Sequence, residues 1–294
     1  MFRQLFSKEF LLRVLARADE DELLGRSAQL SYYFLLALFP LLLFLITLFG
    51  YFNGAGSHLR HRLIAYLGDV MPGTALHLVT ATIDEVTQAR GGGKLSIGFL
   101  LALWAASSGV NAMSQSLNAA YDVRETRPWW QVRLVSIGLT VALSILIISA
   151  LLIVLYGGRL GHLVAAMVHV GNAFSSGWKI LQFPIALVFV FVTFDLIYRF
   201  APNVKGPRRD SHLTRSDYRR RWLSPGVFVA VALWLLVSLA FRLYLHFFNS
   251  YSATYGSLGA LIILMLWFYL TGAAILFGAE INCELESRQS DLEG

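Results

Sequence analysis

Five polar side chains, Ser108, Asn111, Gln115, Asn118 and Asp122, follow one another at steps of 3, 4, 3 and 4 residues inside an otherwise apolar run. That spacing puts all five on one face of a helix. Asn, Gln and Ser supply neutral hydrogen bonds, and Asp122 adds a carboxylate. Further polar groups stand near the ends of other apolar runs: Gln29 and Tyr32, Asp195 and Arg199, and Glu280 and Asn282. Ionisable groups inside a membrane are costly and mark candidate sites. The chemistry this set suggests is binding and passage of a polar or amphiphilic molecule, with Asp195 or Glu280 able to carry a proton. Simpler roles exist for each. Asp195 and Arg199 are spaced for an i, i+4 ion pair, Glu280 would mark a helix end at headgroup level, and the amides would glue helices together.

The elements that must position these residues follow from composition. The chain has 294 residues, of which 56% are hydrophobic and 14% charged, with a net charge of +6. Soluble domains carry roughly 25% charged residues. Six runs reach the ~20 apolar residues that a spanning helix needs. They cover 27–52, 95–117, 132–156, 180–199, 225–246 and 257–279. Without water the backbone must bond within each segment, so these runs are expected to be helices. The fold expected is an all-α, polytopic membrane protein, one membrane domain built as a bundle of six transmembrane helices. LVAAMVHV, 163–170, is too short to span; it either extends the third helix or lies at the surface. YGSLG, 255–259, reads as a turn opening the sixth span.

Seventeen of the 24 Lys and Arg lie on segments that share one side of such a bundle. The positive-inside rule then puts both termini in the cytoplasm. On this topology 1–26 is a cytoplasmic arm whose stretch 7–17 reads as an interfacial helix. Residues 53–94 form an outer loop with short amphipathic helices, 200–224 a basic cytoplasmic loop, and 280–294 a cytoplasmic tail. The same bias accounts for the basic charge without nucleic acid. In the basic loop Arg208, Arg209, Arg219, Arg220 and Arg221 are expected to contact anionic lipid headgroups, each worth ~1 kcal/mol near the surface.

Oriented this way, the polar residues collect toward the inner leaflet. The expectation is a hydrophilic vestibule open to the cytoplasm, lined by Gln29, Tyr32, Ser108, Asn111, Gln115, Asn118, Asp195, Arg199, Glu280 and Asn282, and sealed outside by an apolar gate. Pro40 removes one helical hydrogen bond within the first span and is a hinge candidate, with a packing kink as the plainer alternative. Ala274 and Gly278 form a small-x-x-x-small pair that permits close helix contact.

Five stretches together resemble the YihY / virulence factor BrkB family of bacterial inner-membrane proteins: AQLSYYFLLALFPLLL (28–43), LNAAYDVRETRPWW (117–130), IYRFAPNVK (197–205), SPGVFVAVALW (224–234) and YGSLGALIILMLWFYLTGAAILFGAEIN (255–282). The resemblance implies six transmembrane helices with both termini inside, and a bacterial inner-membrane location. Members have carried the label ribonuclease BN. The residues do not support it. His58, His61, His77, His162, His169, His212 and His246 make no metal-binding spacing, and Cys283 has no second cysteine. There is no P-loop, G-x-S-x-G or G-x-G-x-x-G.

The expectation is therefore a protein that is not an enzyme and needs no cofactor or metal. Its function would be translocation of an envelope metabolite, lipid or lipid-linked precursor. The alternative is a structural scaffold of the envelope, docking envelope proteins. Its expected partners are the bilayer and anionic headgroups. The sequence leaves the homo-oligomeric state open.

Overall fold

The computed structural model describes residues 7–50, 94–168, 172–203, 224–247 and 251–293. The expected outer-loop helices of 53–94 and the arginines 208, 209 and 219–221 lie outside the described residues. Seven helices are described: α1 (Lys8–Glu20), α2 (Leu23–Gly50), α3 (Lys94–Ala120), α4 (Trp129–Val168), α5 (Asn172–Phe200), α6 (Pro225–Phe247) and α7 (Tyr251–Glu293). Among the described residues, four stretches are long and apolar enough to cross a membrane: Trp129–Ala150, Leu181–Phe200, Pro225–Tyr244 and Leu261–Arg288.

Chain neighbours pack side by side from α2 round to α7, α7 returns to α2, and α3 also touches α7 across the ring. The side chains that the helices turn outward are large and apolar, among them Leu181, Phe183, Leu236, Leu239 and Ile262. That is the pattern of a surface solvated by lipid rather than water. The helices meet through Leu30, Met113, Leu117, Phe194, Ile197, Val227, Val231, Ile275 and Leu276, all buried.

α6 and α7 approach each other closely. A Cβ added to Gly226 would lie 2.1 Å from the carbonyl oxygen of Gly278, and one added to Gly278 would lie 2.6 Å from that of Gly226. Only residues without side chains allow this contact, as the small pair Ala274/Gly278 leads one to expect.

Several helices run past their expected ends. α4 continues through Gly157–Gly158 and takes in 163–168, while α2 starts four residues early at Leu23 and stays helical through Pro40. α7 is helical through 255–259, where the sequence reads as a turn, because glycine is tolerated in membrane helices. It also continues beyond Glu280 to Glu293, so Glu280 sits inside a helix and does not mark its end.

Helix α1 begins at Ser7, whose hydroxyl accepts from the Phe10 N–H at 3.2 Å, an N-cap that satisfies one free donor of the first turn. Phe10 and Val14, one turn apart, are fully buried against Ile281 and Leu285 of α7. Burying two such side chains stabilises the docked helix by roughly 1.5–3 kcal/mol each. Leu11, Leu12 and Leu15 stay exposed on its other face, so α1 is held by protein on one side and remains free to meet a membrane surface on the other.

Candidate functional site

The structure divides the sequence-predicted residues into two groups. The first is locked between helices. Asn118 accepts the Asn203 backbone N–H at 2.6 Å and donates to the Glu125 carboxylate at 2.9 Å. Asn203 in turn donates to the Arg124 carbonyl and the Thr126 hydroxyl. Arg127 grips Glu125 at 2.7 Å and donates to the carbonyl of Ala201 at 3.0 Å. The segment between α3 and α4 is thus tied onto the end of α5. α3 closes with Asp122 at a φ of 50°, and the Val123 N–H bonds back to the Asn118 carbonyl at 2.9 Å, a helix-terminating turn. Burial raises the Glu125 pKa, but hydrogen bonds from Arg127 and Asn118 outweigh it and hold the carboxyl below its ordinary value.

Asn282 bridges three elements. Its Oδ1 accepts the Gly226 N–H at 2.8 Å and its Nδ2 donates to the Tyr121 hydroxyl at 3.1 Å. The Tyr198 hydroxyl donates to the Ile275 carbonyl at 2.6 Å. Asp195 is buried on α5, and Arg199 is half-buried one turn on.

Glu280 is 1% exposed and lies 3.7 Å from the Arg17 guanidinium of α1. Arg17 also meets Glu284 at 3.7 Å and Cys283 Sγ at 3.0 Å. Burial works against the charge on Arg17, yet Cys283, Glu280, Glu284 and Asp21 outweigh it and raise its pKa. Burial likewise pushes the Asp21 carboxyl up, against the lowering effects of a hydrogen bond with Glu280 and of Arg17 and Arg26. Among the described residues neither Glu280 oxygen receives a nitrogen or hydroxyl donor within hydrogen-bond distance.

The second group lies on the outside of the bundle. On α2, Leu23, Ser27 and Leu30 are buried, while Gln29, Tyr32 and Leu36 are exposed. On α3, Ala106, Met113, Leu117 and Ala120 are buried. Ser108, Asn111 and Gln115 share the opposite face with exposed Leu101 and Trp104. The two helices cross where a Cβ on Gly109 would lie 3.0 Å from the Cβ of Ala37. Gln29 and Tyr32 on α2 and Gln115 on α3 are exposed, while Ser108 and Asn111 are half-buried. Ser108 also accepts from Arg133 of α4 at 3.4 Å. Among the ten residues the structure thus ties Asn118 and Asn282 into interhelical hydrogen bonds, sets Glu280 against Arg17, and leaves Gln29, Tyr32 and Gln115 exposed. Sequence reasoning missed Arg17, Asp21, Tyr121, Arg133 and Asn203 as partners. Only Asn203, directly after the helix-ending Ala-Pro, carried a local signal.

These features define an all-helical membrane protein whose polar residues tie helices together at one end and break the apolar surface along α2 and α3. The chain belongs to the Virulence factor BrkB family, whose model matches residues 14–293. It is 37% identical over 280 residues to YfkH of Bacillus subtilis (strain 168), named a ribonuclease-like protein, covering 95% of this chain and 96% of that one. It is 27% identical to a UPF0761 membrane protein of Cronobacter sakazakii, covering 92% of this chain and 86% of that one. To the UPF0761 membrane protein YihY of Salmonella typhimurium it is 27% identical, covering 80% and 72%. No solved structure matches.

Proposed function

We propose that this chain is a bacterial inner-membrane translocator, not an enzyme, that handles a lipid or lipid-linked precursor. The observation that carries the reading is the outward face of Gln29, Tyr32, Ser108, Asn111 and Gln115 on α2 and α3, set among exposed Leu36, Leu101 and Trp104. A polar band on a lipid-facing surface is open to molecules that already reside in the bilayer. Its headgroup would follow the amides while its chains stay in hydrocarbon. A water-soluble metabolite would need an interior route, and Asn118, Glu280 and Asn282 are committed to interhelical contacts. Glu280 is accordingly read as part of the α1 lock rather than as a coupling-proton carrier.

The test is movement of labelled lipid between leaflets of proteoliposomes. Wild-type protein should accelerate it, and Asn111→Leu with Gln115→Leu should abolish the acceleration while leaving the melting temperature near wild type. Unchanged movement in that double variant would refute the assignment.

The second reading, a scaffold of the envelope, is favoured by the same band, since exposed amides are also interhelical glue for a partner. It predicts a stoichiometric protein partner in mild detergent that the double variant no longer retains.

A further inference from the structure

We infer that Arg133 of α4, stacked on Trp104 of α3, binds the phosphate of an anionic phospholipid taken from the surrounding bilayer. The guanidinium carbon lies 3.9 Å from the Trp104 ring centroid, a cation–π contact that fixes its plane. Nη1 and Nη2 reach the Ser108 hydroxyl at 3.4 and 3.5 Å. Nη2 also donates to the carbonyl of Trp104. Nε is buried and has no acceptor among the described residues.

Among the described residues no carboxylate pairs with this group. Arg13 and Arg288 have Glu284, Arg17 has Glu280 and Glu284, and Arg127 has Glu125; none of the ion pairs among the described residues includes Arg133. Arg133 is half-buried with its Nε buried; partial desolvation of a guanidinium without a counter-charge is costly, and its planar donor fork matches a phosphate.

The surroundings identify the source as a lipid rather than a free anion. Leu100, Leu101 and Leu134 stand exposed nearby in sequence at 60%, 64% and 60%, an apolar surface suited to acyl chains. Trp129 and Trp130, exposed at the start of α4, suit the membrane interface. Arg133 is one helical turn beyond Trp129, ~6 Å along the axis, close to where phosphates sit. Asn111 and Gln115 share the face of Ser108 and offer neutral hydrogen bonds to the rest of a headgroup. The inference rests on the lipid-facing reading of this surface and names the headgroup class it takes.

The experiment uses the full chain in zwitterionic detergent and a fluorescent short-chain phosphatidylglycerol, with binding followed by anisotropy. Arg133→Gln should weaken binding by about tenfold, the scale of one charge-assisted contact. Trp104→Leu should weaken it by about threefold, and Arg133→Lys should fall between Arg133→Gln and wild type. Unlabelled phosphatidylglycerol should compete, while phosphatidylcholine and inorganic phosphate at the same concentration should not. Binding by Arg133→Gln within twofold of wild type overturns the site. Equal competition by phosphatidylcholine removes the anionic selectivity, and competition by inorganic phosphate removes the lipid source; either overturns the inference. Should Arg133→Gln fail to purify as a monodisperse species, Ser108→Ala and Arg133→Lys decide, because both must weaken binding. Equilibrium binding separates the two proposals: intact binding with no lipid movement sinks translocation and leaves this site standing.

Discussion

The side-chain oxygen of Asn282, late in α7, accepts the backbone N–H of Gly226 in the first turn of α6 at 2.8 Å. One helix thus caps another across 56 residues of sequence, and the same amide reaches Tyr121 at the end of α3. Asn282→Ala leaves a buried N–H and a buried hydroxyl without this partner, which costs about 1–3 kcal/mol. Thermal unfolding in detergent should show a lowered melting temperature. Asn282→Asp keeps the acceptor for Gly226, loses the donor to Tyr121, and should melt between the two. Wild-type melting of Asn282→Ala would contradict the cap.

The α6–α7 crossing makes a sharper forecast. A Cβ on Gly278 would sit 2.3 Å from the Tyr198 hydroxyl and 2.7 Å from the Ala230 Cβ, and the opposing carbonyl of Gly226 is backbone that cannot swing aside. Gly278→Ala should therefore force the helices apart, costing about 1–3 kcal/mol or more. Gly138 on α4 has nothing within 4 Å of the same added atom. There Gly→Ala should stabilise by about 0.4–1 kcal/mol through helix propensity and a less flexible unfolded chain. Comparing melting temperatures of the two single variants checks both signs.

Periodicity alone reached part of this architecture. The 3-4-3 spacing from Ser108 to Asn118 placed these residues correctly on a helix, but it could not say which way the helix faced. In lipid, a core-facing side and a hydrocarbon-facing side are both apolar, so the stripe reads alike whether it points in or out. The structure puts Asn118 at the edge of the stripe into a lock and leaves Gln115 exposed. Partners far apart in sequence were equally illegible. Arg17 and Cys283 are 266 residues apart, and Asn118 and Asn203 are 85 apart. No local pattern pairs them. Hydropathy ends at Glu280, which therefore read as a possible helix end, yet helix α7 continues, with Ile281 and Leu285 one turn apart receiving α1.

The tie between the α3–α4 segment and α5 is sensitive to acid. Glu125 has its pKa lowered in the folded protein, where burial is outweighed by Arg127 and Asn118. A lowered carboxyl pKa contributes stability that is present above its unfolded value, ~4.3, and lost as pH falls through the folded value. Melting temperature should drop on acidification below that range, and Glu125→Gln should flatten this part of the profile. A profile in Glu125→Gln that falls as steeply as wild type would assign the acid sensitivity elsewhere.

Asp21 has the opposite sign, and the α1 lock is where it acts. Burial raises its carboxyl pKa although Glu280, Arg17 and Arg26 pull it down. A raised pKa means the folded state holds a proton that the unfolded chain releases. The associated stability is complete below the unfolded pKa, ~3.9, and is lost as pH rises through the folded value. Docking of α1 should therefore weaken as pH rises out of the ordinary carboxylate range. Asp21→Asn keeps a neutral partner for Glu280 at every pH and should remove that dependence. Cys283 gives an independent readout, being the single cysteine, 1% exposed and 3.0 Å from the Arg17 guanidinium. At one fixed pH, Arg17→Ala leaves Glu280 without its α1 charge and Glu284 with Arg13 alone from α1, and should speed maleimide labelling of Cys283 by about tenfold or more, matching a loss of at least ~1.4 kcal/mol in docking. Labelling of Arg17→Ala at the wild-type rate would mean that Phe10 and Val14, with Arg13, hold α1 in place without the Arg17 ion pairs.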